Sequence, residues 1–111
     1  MHVRTGKALA EQLEVARNYF ARAFGLMFRR SLEPGHGMWI VPCNGITMLF
    51  MRFPIDAVFL DRQERVKKVY TKLPPWWGTV WLVLGAHSVL ELPSGSTADL
   101  GLMPGDQINI G

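Results

Sequence analysis

A chain of 111 residues, 49% hydrophobic and 19% charged, has the size and composition of one globular domain, not of a disordered or fibrous chain. Its net charge of +3 is modest and its longest basic runs are Arg29-Arg30 and Lys67-Lys68, too dispersed to favour a nucleic-acid partner. A single cysteine excludes an internal disulfide, no apolar run reaches the roughly 20 residues of a membrane span, and MHVRTGKALAEQ lacks the apolar segment of a signal peptide; a soluble cytoplasmic protein without a membrane partner is expected.

Residues 8–27 place Leu9, Leu13, Ala16, Phe20, Phe24 and Met27 at spacings of three and four, with Gly25 near the end, which reads as one amphipathic helix. Val15 and Asn18 support another division, a strand over 8–15 followed by a helix over 17–25. RRSLEPGHG, residues 29–37, is a polar loop with a turn at Pro34-Gly35. Met38 to Val41 is a short strand that Pro42 ends, and Asn44-Gly45 signals a hairpin.

The stretch ITMLFMRFPIDAVFLD, residues 46–61, is expected to be central, divided by Pro54 into two extended halves. From Ile46 to Phe53 both alternating faces are mostly apolar, as in a strand covered on both sides. Asp61 to Glu64 reads as a turn, and Arg65 to Lys72 as a half-exposed strand. LPPWWGTVWLVLG, residues 73–85, is an aromatic loop with room for a short strand over Trp81 to Leu84. His87 to Leu92 is a strand, and Ser96 or Thr97 opens a helical turn through Leu100. Met103-Pro104-Gly105-Asp106 predicts a turn with positive φ at Gly105 and a structural Asp106 carboxylate, ahead of a strand over Gln107 to Ile110. Short strands with Gly/Pro turns about every ten residues, plus one short helix, predict a mainly β (α+β) fold with a compact, antiparallel, barrel-like sheet.

Three blocks, GLMFRRSLEPGHGM (25–38), FMRFPIDAVFLD (50–61) and VLELPSG followed by LGLMPGD (89–106), resemble the domain-of-unknown-function 192 family in order and spacing across nearly the whole chain. The resemblance implies a small β-rich domain with a short helix near the GLM block, favouring strand-then-helix over residues 8–25. It implies no particular reaction. Relatives with this FMRFPID version resemble I-H-T-x-F-M just before it; Thr47 stands here where that histidine would, so no role of it transfers. LMPGD also resembles the Gly-Asp turn of cradle-loop barrels.

Asp56 sits among Ile55, Ala57 and Val58, so it is expected to be buried and paired with Arg52 or with backbone N–H groups. As structure, Arg52 and Asp56 lock the bend at Pro54; as a site, they line a cleft beside Met51. Cys43 reads first as a structural thiol and becomes a nucleophile only if the fold brings His36 or His87 near. His2, His36 and His87 are too scattered to predict a metal, and no cofactor motif is present. Trp76, Trp77 and Trp81 either cap the sheet or form a platform for a peptide, a sugar or another subunit.

The favoured expectation is a non-catalytic domain binding a small molecule or peptide through Arg52, Asp56, Met51, Trp76, Trp77, Trp81 and His87. The alternatives are a small enzyme with Asp56 as acid or base near His87 or Glu91, and a nucleic-acid binder using Arg29, Arg30, Lys67, Lys68 and Lys72.

Overall fold

A computed structural model of the chain describes residues 12–16, 36–43, 45–47, 53–74, 76, 79–80 and 83–108. Its strands are β1 (Gln12–Ala16), β2 (His36–Ile40), β3 (Ile46–Thr47), β4 (Ile55–Leu60), β5 (Val66–Leu73), β6 (Thr79–Val80) and β7 (Ser88–Pro93), and the helix α1 spans Ser96–Leu100. The main sheet has the order β1-β2-β7-β4-β5, antiparallel throughout except for the parallel β1–β2 pair. β3 and β6 pair with each other in a separate two-stranded sheet.

IDAVFL in β4 explains the architecture. All six residues are buried, and β7 beside it is buried at five of six positions. Ile55, Ala57 and Phe59 pack with Met38, Ile40, Val83 and Val89 on one face. Val58 and Leu60 pack with Trp39, Val66, Leu90, Leu92, Leu102 and Ile108 on the other. Full burial of each large apolar side chain contributes about 1.5–3 kcal/mol, so both faces stabilise the sheet. β5 is an edge strand: Val66 points into the core while Lys67 and Lys68 stay in water, which discourages further strand pairing. Tyr70 meets the Phe59 ring edge-on at 5.9 Å and 84°.

The sheet is not closed into a barrel: β1 and β5 lie at opposite edges of an open order. A strand buried on both sides belongs to a covered sheet, whereas a small barrel is filled only from within. In the 46–61 stretch the half after Pro54 is the buried strand; Ile46–Thr47 belongs to the small sheet, and residues 48–52 lie outside the described residues. Asn44-Gly45 does not close a hairpin, because β2 pairs with β1 and β7 while β3 pairs with β6. A single helix over 8–27 is excluded by β1, so the division beginning with a strand is the correct one there; the expected helix over 17–25 lies outside the described residues. Of the short strand expected over Trp81 to Leu84, Trp81 and Leu82 lie outside the described residues, Val83 is not in a strand and Leu84 is in a turn; a two-residue strand lies just before, at Thr79–Val80.

The C-terminal turn matches its chemistry. Gly105 has φ +94°, and the Met103 N–H donates to Asp106 Oδ2 at 2.9 Å. Gly105 N donates to the Val66 carbonyl at 2.7 Å and Val66 N to the Asp106 carbonyl at 2.8 Å, stitching the turn to β5. Ile108 is then buried, and Gln107 bridges to Arg65; residues 109–111 lie outside the described residues. A Cβ at Gly105 would meet nothing within 4 Å, so Gly105→Ala acts through the backbone alone. It is expected to cost about 1 kcal/mol, read as a lower urea midpoint at unchanged m-value. An unchanged midpoint would show that the turn does not need the left-handed conformation.

Candidate functional site

β7 lies between β2 and β4, and both neighbours run against it. Ile40 pairs with Val89 and Leu60 with Ser88, so the residues that leave β2 and β4 flank those that enter β7. His87 joins all three. Its N–H donates to the Leu60 carbonyl at 2.7 Å, and its carbonyl accepts from Cys43 N, also at 2.7 Å. At this end of the sheet lies a concavity of about 280 Å³ lined by Pro42, Cys43, Arg62, Ala86 and His87.

Each lining residue is placed by local chemistry. Pro42, separated from the end of β2 by Val41 alone, cannot donate to a ladder, so the chain turns away there. Asp61 builds the turn that presents Arg62: its Oδ1 accepts the N–H groups of Gln63 at 2.9 Å and Arg65 at 3.0 Å. Ala86 N donates to the Val83 carbonyl at 3.1 Å, closing a turn in which Gly85 takes φ +83°. Cys43 and Ala86 pack onto the cluster of Ile40, Phe59 and Val89, which therefore forms the floor. The Cys43 thiol donates to the Gly45 carbonyl at 3.0 Å.

The concavity thus combines an exposed guanidinium, a half-buried imidazole and a half-buried thiol over an apolar floor. Among the described residues no carboxylate pairs with Arg62. Such a set suits a small ligand carrying an anionic group, for which Arg offers a fork of donors. Among the described residues no group of three or more His, Cys, Asp or Glu could hold a metal.

Asp56 is buried at 0% exposure, as its apolar neighbours predicted, but it does not line this concavity. Its Oδ1 accepts Lys72 N at 2.8 Å and Gly95 N at 3.1 Å, and its Oδ2 accepts Thr97 N at 2.9 Å and Thr97 Oγ1 at 2.7 Å. The β4–β5 register shifts between Ile55 and Ala57, and Lys72 has φ +52°, so a bulge has taken that N–H out of the ladder. Gly95 makes no side-chain cap for α1, and Asp56 supplies that cap from β4 instead. Its four donors make Asp56 a structural brace.

Of the other expected residues that the structure describes, His87 lines the concavity and Trp76 is not among its lining residues. Trp76 is 46% exposed at φ +69°, a conformation uncommon outside glycine. Met51, Arg52, Trp77 and Trp81 lie outside the described residues, as do Arg29 and Arg30. Glu91 is buried on β7, opposite Ala57 and Met38, and Lys67, Lys68 and Lys72 are exposed along β5. Arg62 was missed because Asp61 to Glu64 reads only as a polar turn; its one sequence signal is its place two residues past a buried strand.

Known proteins agree with the fold. The model of the domain-of-unknown-function 192 family, described as "Uncharacterized ACR", matches residues 1–110. An UPF0127 protein of Pyrococcus abyssi is 34% identical over 87% of this chain and 84% of its own. One from Pyrococcus furiosus is 29% identical over 89% and 92%. A Novosphingobium aromaticivorans protein of unknown function has a crystal structure that superposes with a TM-score of 0.79, at 31% identity over 87% of this chain and 73% of that one. A Sinorhizobium meliloti protein, described as a "putative transcription regulator", superposes at 0.77 with 27% identity over 86% and 78%.

Proposed function

We propose that this chain, which belongs to the domain-of-unknown-function 192 family, is a non-catalytic binding domain for a small molecule with a carboxylate or phosphate group. The observation that carries this reading is the convergence of Arg62, His87 and Cys43, from the ends of three strands, on one concavity of about 280 Å³. That volume is near the lower end of ligand sites, so it suits a compact molecule or one side chain of a peptide. Arg62 supplies the charge that selects an anion, and His87 adds a ring nitrogen. Asp56 has no part in it, because each of its carboxylate oxygens already takes two donors; the acid–base enzyme reading loses its proton carrier for the same reason.

Calorimetric titration with inorganic phosphate, citrate and short dicarboxylates tests the proposal. At least one is expected to bind, more weakly as salt rises, and Arg62→Ala is expected to weaken it by about 10-fold. No binding by any of them, or binding indifferent to Arg62→Ala, would refute it. One observation favours a second reading. The Sinorhizobium neighbour's description, beside the exposed Lys67, Lys68 and Lys72 of β5, supports a nucleic-acid partner; salt-sensitive capture of an oligonucleotide, lost when those lysines become Ala, would favour it.

A further inference from the structure

Lys67 is the extra residue of a bulge. Phe59 pairs with Lys68 and Leu60 with Val66, so one step along β4 matches two along β5 and Lys67 is left out of the register. A bulge re-aims the side chain that it frees. The residue before it is fixed: Val66 N donates to the Asp106 carbonyl at 2.8 Å, and the Val66 carbonyl accepts from Gly105 N at 2.7 Å. The end of the Lys67 side chain lies over Gly85, in the turn that precedes β7. A Cβ on Gly85 would stand 3.1 Å from Lys67 Cε and 3.4 Å from its Nζ, so glycine there leaves room for the ammonium. Gly85 adjoins Ala86 in the chain, and Ala86 and His87 line the recess with Arg62. The Lys67 ammonium therefore stands beside the rim of the recess. Among the described residues no carboxylate pairs with Lys67 or with Arg62.

We propose, building on the anion-binding reading, that Lys67 is a second cation of this site and that the ligand is a compact molecule with two acidic groups. Arg62 offers a planar fork of donors to one group. Lys67 brings a compact ammonium on a long stem to the other. Two cations at one concavity repel each other, and a ligand with two negative charges offsets both where a monoanion offsets one. A recess of about 280 Å³ admits a short carbon chain between the two acids. The bulge at Lys67 and the missing side chain at Gly85 then have one purpose, which is to bring the second charge to the recess. Selectivity follows from the number of charges on the ligand: a monoanion of equal length forfeits the Lys67 contact.

Calorimetric titration of the full chain with malonate, succinate and glutarate, each beside its monomethyl ester, tests this. At least one diacid is expected to bind about 5-fold more tightly than its ester, the scale of one solvent-accessible charge contact. Lys67→Ala is expected to abolish that preference while the ester's affinity stays within about 2-fold. Gly85→Ala keeps the charge but pushes the ammonium aside, so the preference is expected to fall, with no further loss when it is combined with Lys67→Ala. Lys68→Ala removes the same charge from the next residue of β5 and is expected to keep the preference. Urea midpoints show that each variant is folded, and Lys67→Ala decides the matter whether or not Gly85→Ala folds. Equal binding of every diacid and its ester, a preference that survives Lys67→Ala, or an equal loss in Lys68→Ala overturns the inference. Arg62-dependent binding of phosphate or citrate beside such a result sinks the second cation alone, whereas absence of any Arg62-dependent anion binding sinks both readings.

Discussion

Asp56→Ala is expected to destabilise the fold by about 3–5 kcal/mol, because it leaves four donors without their acceptor. Two of them, Thr97 N and Oγ1, are in buried bonds that water cannot readily replace, while Lys72 N and Gly95 N are only part-buried. A hydrogen bond to a charged acceptor contributes about 1.5–3 kcal/mol, and a stranded buried donor costs about 1–3. The bonds share one carboxylate, so their losses do not simply add. The substitution also uncaps α1 and frees the bulged Lys72 N–H, so β5 and α1 should loosen together. Asp56→Asn should still cost about 2 kcal/mol, because one of its two acceptor atoms becomes an NH₂ facing donors. Thr97→Val, which removes only the hydroxyl, should cost about 1 kcal/mol. Urea unfolding of the three variants gives the ranking; a loss below roughly 1 kcal/mol for Asp56→Ala, the range of an exposed pair, would refute the brace.

That carboxylate marks how far the sequence could be read. Its burial and its use of backbone N–H groups follow from apolar neighbours on both sides, which leave a charge no solvent. The partners themselves lie 16 to 41 residues away along the chain, and no local pattern names them. The turn at Pro104-Gly105 was legible in full because its requirements are local: a fixed φ, then a positive one. The stretch around Pro54 was legible only in part. Both halves are apolar on both faces, and apolar pattern alone does not say that Ile55–Leu60 joins the main sheet while Ile46–Thr47 pairs with Thr79–Val80. Cys43 and His87 each stood out alone; that they share a recess depends on β7 running between β2 and β4, a strand order absent from local periodicity.

The floor beneath that recess is built around Phe59. Phe59 is among the largest fully buried side chains, on the best-buried strand, and its ring packs edge-on against Tyr70. Truncation to alanine removes apolar burial and leaves a cavity that a β-sheet, held by β5 on one side and β7 on the other, closes poorly. Phe59→Ala should therefore cost about 3–5 kcal/mol, whereas Phe59→Leu, which keeps much of the volume, should cost roughly 1 kcal/mol. The same cluster carries Cys43 and Ala86 on its surface, so the cavity opens under the site itself. Urea midpoints of the two variants check this. A Phe59→Ala protein that loses less than about 1 kcal/mol would mean that β4 is not the core strand.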